Sequence, residues 1–174
     1  MVSAMPDMFR RIRRAILLAL GLASAARADV PPPVEGLENQ HPAAYYTAAA
    51  QLFEAGDKDQ AVFWFYAGQL RYRVHLACHP DLKPDGDQAL FASLSESVGR
   101  PINEYAFGDP PALAATLDKV LAWDDATPNG FTSKTECAAA IGTMRAGLAG
   151  LRDEVLARQD EIRREREKNG LPNR

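Results

Sequence analysis

The chain has 174 residues, nearly half of them apolar, and a formal net charge of −3. Residues 1–28 hold five arginines and one aspartate, a net charge of +4, so residues 29–174 carry −7. Phosphate binding needs a basic face, so this acidic composition argues against a nucleic-acid partner. The 146 residues after position 28 fit a single domain with a real hydrophobic core.

The first 28 residues have the pattern of an export signal. Four arginines between positions 10 and 14 precede an apolar run at 15–26, and a small-x-small cleavage sequence ends at Ala28. The run is shorter than the roughly 20 residues that span a bilayer, and the arginines disfavour a buried N-terminal helix. The prediction is a periplasmic or secreted protein, cleaved after Ala28 and without a later membrane span. The general secretory and twin-arginine routes both stay open.

Residues 29–41 form a proline-rich linker in this prediction. Three consecutive prolines favour extended structure and exclude a helix, so the segment is expected to be loose or laid along the surface. A single helical domain is predicted over 42–168, followed by a disordered tail at 169–174.

The domain opens with a predicted helical hairpin. Helix propensity is high over 43–55, Gly56 and Asp57 interrupt it, and a second helix follows from 58 to 78, where Pro80 ends it. The stretch 61–68 is apolar nearly all round, as in a helix buried on several sides. Its Val and aromatic residues also suit a strand, but the alanine-rich flanks favour the helix.

This hairpin resembles one unit of a tetratricopeptide or Sel1-like repeat, which has about 34 residues. The resemblance covers residues 42–75, and five positions have the spacing with which such repeats pack their helices: Tyr45, Ala49, Gly56, Ala61 and Phe65. It implies a helical-hairpin architecture and a binding role. Only one copy is present, so the rest of the chain must cover its apolar faces. Ordinary packing of two helices would give the same pattern, and that alternative stays open.

Further helices are predicted at 88–99 and 109–125, the second with Asp109 as its cap and Pro110 at its first position. Between them, residues 100–109 are predicted to form a loop. A binding role and a purely structural role, in which Asn103 satisfies backbone groups and Tyr105 and Phe107 pack, both stay open for it. A last helix is expected from Thr132 or Ser133 to about 168, with a charged second half. That half is predicted to be a solvated end rich in opposite-charge pairs, because its two weak heptads fall short of a coiled coil.

The two cysteines predict a disulfide. In an exported chain a pair of cysteines is usually bonded, and Cys78 and Cys137 are the only candidates. The fold class is therefore an all-α bundle of about five helices that contains the repeat-like hairpin and one disulfide.

The stretch HLACHPD, residues 75–81, holds two of the three histidines. His75 and His79 are four residues apart and share a helix face, which is compatible with Zn or Cu. A site needs three or four ligands, however, and His41 is the only other histidine. The prediction is no metal and no cofactor, with His75 and His79 as surface or capping residues beside the disulfide.

Binding residues are predicted in two places. Arg71 and Arg73 follow the apolar part of the second helix, where they either pair with acids, Glu104 and Asp109 being candidates, or present a site for an anion. The loop 100–109 mixes polar and aromatic residues as functional loops do. The candidate set is Arg71, Arg73, Asn103, Glu104, Tyr105 and Asp109.

Two function classes follow from these patterns. The first is a non-enzymatic binding or interaction module whose partner is another protein or a cell-envelope component. The second is a small periplasmic enzyme with an acid/base site around Asn103, Glu104 and Tyr105. An enzyme predicts a closed pocket where Asn103, Glu104 and Arg71 converge. A binding module predicts a shallow groove, with those residues in internal pairs. Oligomeric state is left open.

Overall fold

The first two helices form the predicted hairpin. In a computed structural model, which describes residues 36–174, α1 spans Ala43–Glu54 and α2 spans Lys58–Cys78. Gly56 closes α1 at φ 90, and the N–H of Asp57 donates to the carbonyl of Leu52 at 2.9 Å. A left-handed glycine with this backbone bond is a standard helix end, so the break at Gly56 and Asp57 was predicted correctly.

Helix α2 is the centre of the bundle. Every residue from 61 to 68 is buried, as the all-round apolar pattern predicted. Helix α1 packs along it, and three later helices contact it from other sides: α4 (Arg100–Ala106), α5 (Pro110–Ala126) and α6 (Ala138–Ala157). The repeat resemblance stays a prediction, although its four non-glycine positions are all buried between helices: Tyr45, Ala49, Ala61 and Phe65.

The segment between the hairpin and α5 is helical throughout most of its length. Short helices α3, Ala89–Leu94, and α4, Arg100–Ala106, are joined by a wider π-type turn at Ser95–Gly99. The prediction of a loop at 100–109 was therefore wrong over most of that range. Gly99 has helical angles, φ −68 and ψ −36, so it continues the helical path instead of ending it. A Cβ there would lie 2.8 Å from the Phe65 ring, so glycine lets this turn pack closely on α2.

The second half of the domain is a pair of long helices. Helix α5 spans Pro110–Ala126 and begins as predicted, because the Asp109 carboxylate accepts from the N–H of Ala112 at 3.1 Å. The last predicted helix is divided in two, α6 at Ala138–Ala157 and α7 at Gln159–Lys168. Helix α6 also starts later than the expected Thr132 or Ser133. The break falls at Arg158, whose φ of −109 and ψ of 17 leave the helical region.

The described part of the chain has no strand, and the all-α bundle with one disulfide is confirmed. Cys78 and Cys137 are bonded, with their Cα atoms 5.5 Å apart. The bond ties the end of α2 to the residue that precedes α6. Within residues 36–174 no helix is both long and apolar enough to cross a membrane.

The charged end of the chain carries the predicted opposite-charge pairs. Arg158 contacts Glu154 at 2.6 Å and Glu161 at 2.8 Å, both on the exposed side. The sparse apolar residues Val155 and Ile162 pack against the core of the chain itself. These side chains are therefore covered by the chain itself and do not form an exposed apolar stripe for a second helix. This fits a solvated helix end rather than a coiled coil.

Both ends of the domain are more ordered than predicted. Leu37, in the expected linker, is 3% exposed and packs in the core, and the carbonyl of Glu38 accepts from the N–H of Gly130 at 2.8 Å. The linker prediction is thus wrong for 36–41, and its remainder, like the export signal, lies outside the described residues. The tail is held too, since Arg166 donates to the Pro172 carbonyl at 2.7 Å and the Arg174 N–H donates to Gly108.

Gly68 is expected to be intolerant of a side chain. A Cβ there would lie 2.5 Å from the Cβ of Tyr45, an atom tied directly to the α1 backbone. The two helices would have to separate, so Gly68→Ala is expected to lower the free energy of unfolding by about 1–3 kcal/mol. Chemical denaturation measures this directly.

Gly147→Ala in α6 is the matched control. A Cβ at Gly147 meets nothing within 4 Å, and the residue lies inside an exposed helical stretch. Alanine there should raise the free energy of unfolding by about 0.5–1 kcal/mol, because it restricts the unfolded chain. Equal effects of the two substitutions would show that α1 and α2 are not in close contact at Gly68.

Candidate functional site

The six predicted binding residues do not form one site. Arg71 is 2% exposed and lies in the core, where its Nε is 3.4 Å from Asp124 and its guanidinium lies over the Trp123 ring. The suggested partners, Glu104 and Asp109, were wrong. Asp124 instead bridges two arginines, because its other oxygen accepts from Arg145 at 2.9 Å.

The remaining candidates have separate surroundings. Arg73 is exposed, with its guanidinium 5.6 Å from the centroid of the Phe91 ring. Asn103 faces α2 and accepts a hydrogen bond from the Tyr66 hydroxyl at 2.8 Å. Asp109 serves as the cap of α5. Only Glu104 and Tyr105 come together on an accessible surface.

That surface is an open groove of about 290 Å³, hereafter the Tyr105 groove. It lies where the start of α2, helix α4 and the C-terminal segment meet. Its lining residues are Phe53, Lys58, Pro101, Glu104, Tyr105, Arg166, Pro172 and Arg174. Three of them are cations and one is an acid, but Asp59 at the edge of the groove pairs with Arg174 at 3.9 Å, and Arg166 is only 8% exposed. The groove therefore has a small excess of positive charge although the chain is acidic.

Tyr105 is held firmly in the groove. Its hydroxyl donates to Asp59 at 2.8 Å and accepts from Arg174 at 2.6 Å. The Arg174 guanidinium lies 3.6 Å from the ring centroid, and the Lys58 amine lies 5.3 Å from it. Burial and the hydrogen bond to Asp59 raise the pKa of Tyr105, so the phenol stays protonated. The groove therefore offers two cations next to a fixed aromatic face.

A second cluster joins residues that are far apart in sequence. His41 precedes α1, His75 is on the last turns of α2, and Asp87 is in the turn before α3. The Nε2 atoms of His41 and His75 lie 3.1 Å and 3.2 Å from the two oxygens of Asp87. The Tyr72 hydroxyl also donates to Asp87, at 3.3 Å. These contacts join three segments through one carboxylate.

In this cluster, burial and hydrogen bonding act in opposite directions on the pKa of His75 and on that of Asp87. Burial lowers the pKa of His75, and this outweighs the hydrogen bond that His75 donates to Asp87, which would raise it. Burial acts to raise the pKa of Asp87, but the hydrogen bonds with His75 and His41 overcome it and lower that pKa. Both pKa shifts favour an ionised Asp87 carboxylate beside a neutral His75 imidazole.

The prediction that His75 and His79 are surface or capping residues was wrong for His75, which is 7% exposed. It was correct for His79, which is exposed and whose Nδ1 lies 2.8 Å from the His75 carbonyl. Sequence reasoning missed Asp87 because only the path of the chain after Pro80 brings it back to α2. The available signal was the low number of histidines: the chain has only three, and all three lie in this one patch.

The fold and these two clusters define an all-α helical bundle with a basic groove and a histidine–aspartate cluster. No protein family, curated protein sequence or solved structure matches this chain.

Proposed function

We propose that this chain is an exported, non-enzymatic binding module that contacts its partner through the Tyr105 groove. The partner is another protein or a component of the cell envelope. One observation carries the proposal: Glu104 and Tyr105 line an open groove, while Arg71 and Asn103 are engaged in internal contacts. The open groove and the internal contacts of Arg71 and Asn103 match the expectation for a binding module, whereas Glu104 is exposed and not internally paired among the described residues.

Export is the first part of the proposal. It rests on the basic segment, apolar run and cleavage sequence of residues 1–28. The Cys78–Cys137 bond supports it, because disulfides persist in oxidising compartments such as the periplasm and the extracellular space.

The chemistry of the groove supports an anionic contact on the partner. Lys58 and Arg174 lie beside the Tyr105 ring, and Arg166 lies on the same lining. Cations beside an aromatic face bind an acidic group through charge while the ring packs against its apolar part. Electrostatic complementarity of this kind mainly sets partner choice and the rate of association.

The enzyme alternative has less support. It needs Asn103, Glu104 and Arg71 around one substrate, but Asn103 bonds to Tyr66 and Arg71 pairs with Asp124 inside the core. Arg71 and Asn103 are not among the residues that line the groove. An acid/base pair at hydrogen-bond distance from one substrate is not formed by these three residues.

A capture experiment with a charge-reversed groove tests the proposal. The protein is immobilised and exposed to periplasmic extract, and retained components are identified by mass spectrometry. Lys58→Glu is expected to retain about tenfold less of the specific partner, because it reverses a charge beside the Tyr105 ring. Lys58 is the first residue of α2, where an acid is favourable to the helix, so folding should be preserved.

Lys119→Glu is the matched control. Lys119 is also an exposed helical lysine, but it is on α5 and lines no part of the groove. It should capture the partner as the unaltered protein does. Equal retention by Lys58→Glu would place the contact elsewhere, and the absence of any specific partner would count against a binding module.

A further inference from the structure

All three histidines of the chain lie in one patch, and two of them share a carboxylate. The ring centroids of His41 and His75 are 5.9 Å apart, and those of His75 and His79 are 4.7 Å apart. Phe131, 39% exposed, packs its ring against both His41 and His75. The patch is independent of the Tyr105 groove, since the two share no residue.

We propose that His41, His75 and Asp87 form a binding site for a first-row divalent transition-metal ion of the zinc type. One ligand atom from each residue can be chosen so that all of them lie within 4.8 Å of one another. The proposal does not depend on the function of the groove.

The distances fit a small ion. In a tetrahedral zinc site with bonds of about 2.0–2.1 Å, neighbouring ligand atoms are about 3.3 Å apart. The two histidine–aspartate separations, 3.1 Å and 3.2 Å, have this length, but they end on different oxygens of Asp87. With one carboxylate oxygen as the ligand, only one of the two separations is already in place. The widest separation in the set, at most 4.8 Å, would have to close by no more than about 1.5 Å. Rotation of the imidazole rings supplies a movement of that size.

The ligand types select the class of ion. Two imidazoles and one carboxylate suit Zn²⁺, Cu²⁺ and Ni²⁺, whereas Ca²⁺ and Mg²⁺ prefer oxygen ligands throughout. Three protein ligands leave a further position for water. The side chains of His41 and Asp87 are 32% and 24% exposed, so an ion can enter from solvent.

The surroundings of His75 suit a metal ligand. Its Nδ1 lies 3.4 Å from the Thr132 hydroxyl, and Thr132 is 1% exposed. When Nε2 binds a metal, Nδ1 carries the proton, and this buried hydroxyl oxygen can accept it. Thr132 is therefore a positioning residue, which fixes the ring through the nitrogen that does not bind the ion.

His41 has to rearrange more. Its Nδ1 accepts from the N–H of Ala43 at 3.1 Å, so the proton is on Nε2, where it is shared with Asp87. Metal binding moves that proton to Nδ1 and gives up the bond from Ala43. The ring remains neutral throughout, so its proton count does not change. His75 undergoes the same proton shift, since its Nε2–H donates to Asp87 in the free protein, but its Nδ1–H then finds the Thr132 hydroxyl as a partner. Of the two rings, only His41 loses a backbone hydrogen bond when the ion binds.

Zinc chloride is the probe, titrated into the purified protein by calorimetry. The expected result is a single saturable binding event that magnesium chloride does not reproduce. His75→Ala and Asp87→Ala should each lower the zinc affinity by more than about 100-fold, since even residues behind the ligands contribute about 10–100-fold. Thr132→Val, close in volume, should lower it about tenfold.

His79→Ala is the matched control. His79 is on the same stretch and stacks on His75, but it is not in the triad. It should leave the zinc affinity unchanged. Equal loss in His79→Ala and His75→Ala would mean adsorption to the exposed histidine pair, and would overturn the triad site. No saturable uptake of zinc would also overturn it.

Nitrogen-15 NMR spectra of the unaltered protein test the zinc ligands without any substitution, so the result does not depend on whether the variants fold. Zinc should shift the Nε2 resonances of His41 and His75 and move the proton of each ring to Nδ1, while His79 keeps its spectrum. Zinc binding without any change at His41 would overturn its place as a ligand.

Discussion

Asp124→Ala is expected to lower the free energy of unfolding by about 3–5 kcal/mol, because it removes one partner of a buried ion pair. Asp124 is 5% exposed and lies between the guanidinium groups of Arg71 and Arg145. Without its carboxylate, the Arg71 cation stays buried with no charge to balance it. Urea denaturation of the disulfide-intact protein measures the loss.

The size of the effect follows from the surroundings of Arg71. Its remaining contacts are with neutral groups: the Tyr45 hydroxyl at 3.1 Å, the Thr127 carbonyl at 3.3 Å and the ring of Trp123. These contacts stabilise a cation but do not neutralise it. Burial raises the pKa of Tyr45 to about 12, so that hydroxyl does not become the missing anion.

Asp125→Ala is the control from the neighbouring position. Its carboxylate also pairs with Arg145, at 3.6 Å, but its side chain is 81% exposed, and the expected change is within about 0.5 kcal/mol. The double substitution Arg71→Met with Asp124→Leu should recover much of the loss, because it removes both buried charges. The interpretation fails if Asp124→Ala and Asp125→Ala have the same effect.

Removing the disulfide is expected to lower the free energy of unfolding by about 4 kcal/mol. Cys78 and Cys137 are 59 residues apart, and opening a loop of that length gives the unfolded chain this much additional conformational freedom in the chain-entropy model. The measurement compares the denaturation midpoint of the oxidised protein with that of Cys78→Ala/Cys137→Ala.

A reducing agent supplies the internal control for this prediction. It should shift the midpoint of the unaltered protein towards that of the double variant and leave the double variant unchanged. Between residues 36 and 174 the bonded pair accounts for both cysteines, so other thiol chemistry does not contribute. A loss below about 1 kcal/mol would show that the unfolded chain retains structure between the two cysteines.

Local signals in the sequence predicted the parts of the fold that local physics decides. Gly56 closes α1 and Asp109 caps α5, since each acts on its own backbone within a few residues. The burial of 61–68 followed from the absence of any polar face. The disulfide followed from the count of two cysteines in a chain predicted to be exported.

The parts that were missed depend on contacts between distant residues. The stretch at 100–106 is helical and packs on α2, with the preceding turn against Phe65, although its mixed composition resembles a loop. Arg71 pairs with Asp124, 53 positions later, and not with Glu104 or Asp109, which are nearer in sequence. His41 and Asp87 meet His75 only after α1 and the turn at Pro84–Gln88 have docked. No local spacing reports such pairings.

Both tryptophans of the chain lie at one point of the bundle. Trp64 on α2 and Trp123 on α5 pack edge to face, with ring centroids 5.7 Å apart, beside the buried Arg71. Intrinsic fluorescence therefore reports on the junction between α2 and α5, whereas far-ultraviolet circular dichroism sums every helix. When both signals are followed in one denaturation experiment, fluorescence reports the separation of α2 from α5. A loss of circular dichroism before the fluorescence change would report fraying elsewhere, such as in the charged α7.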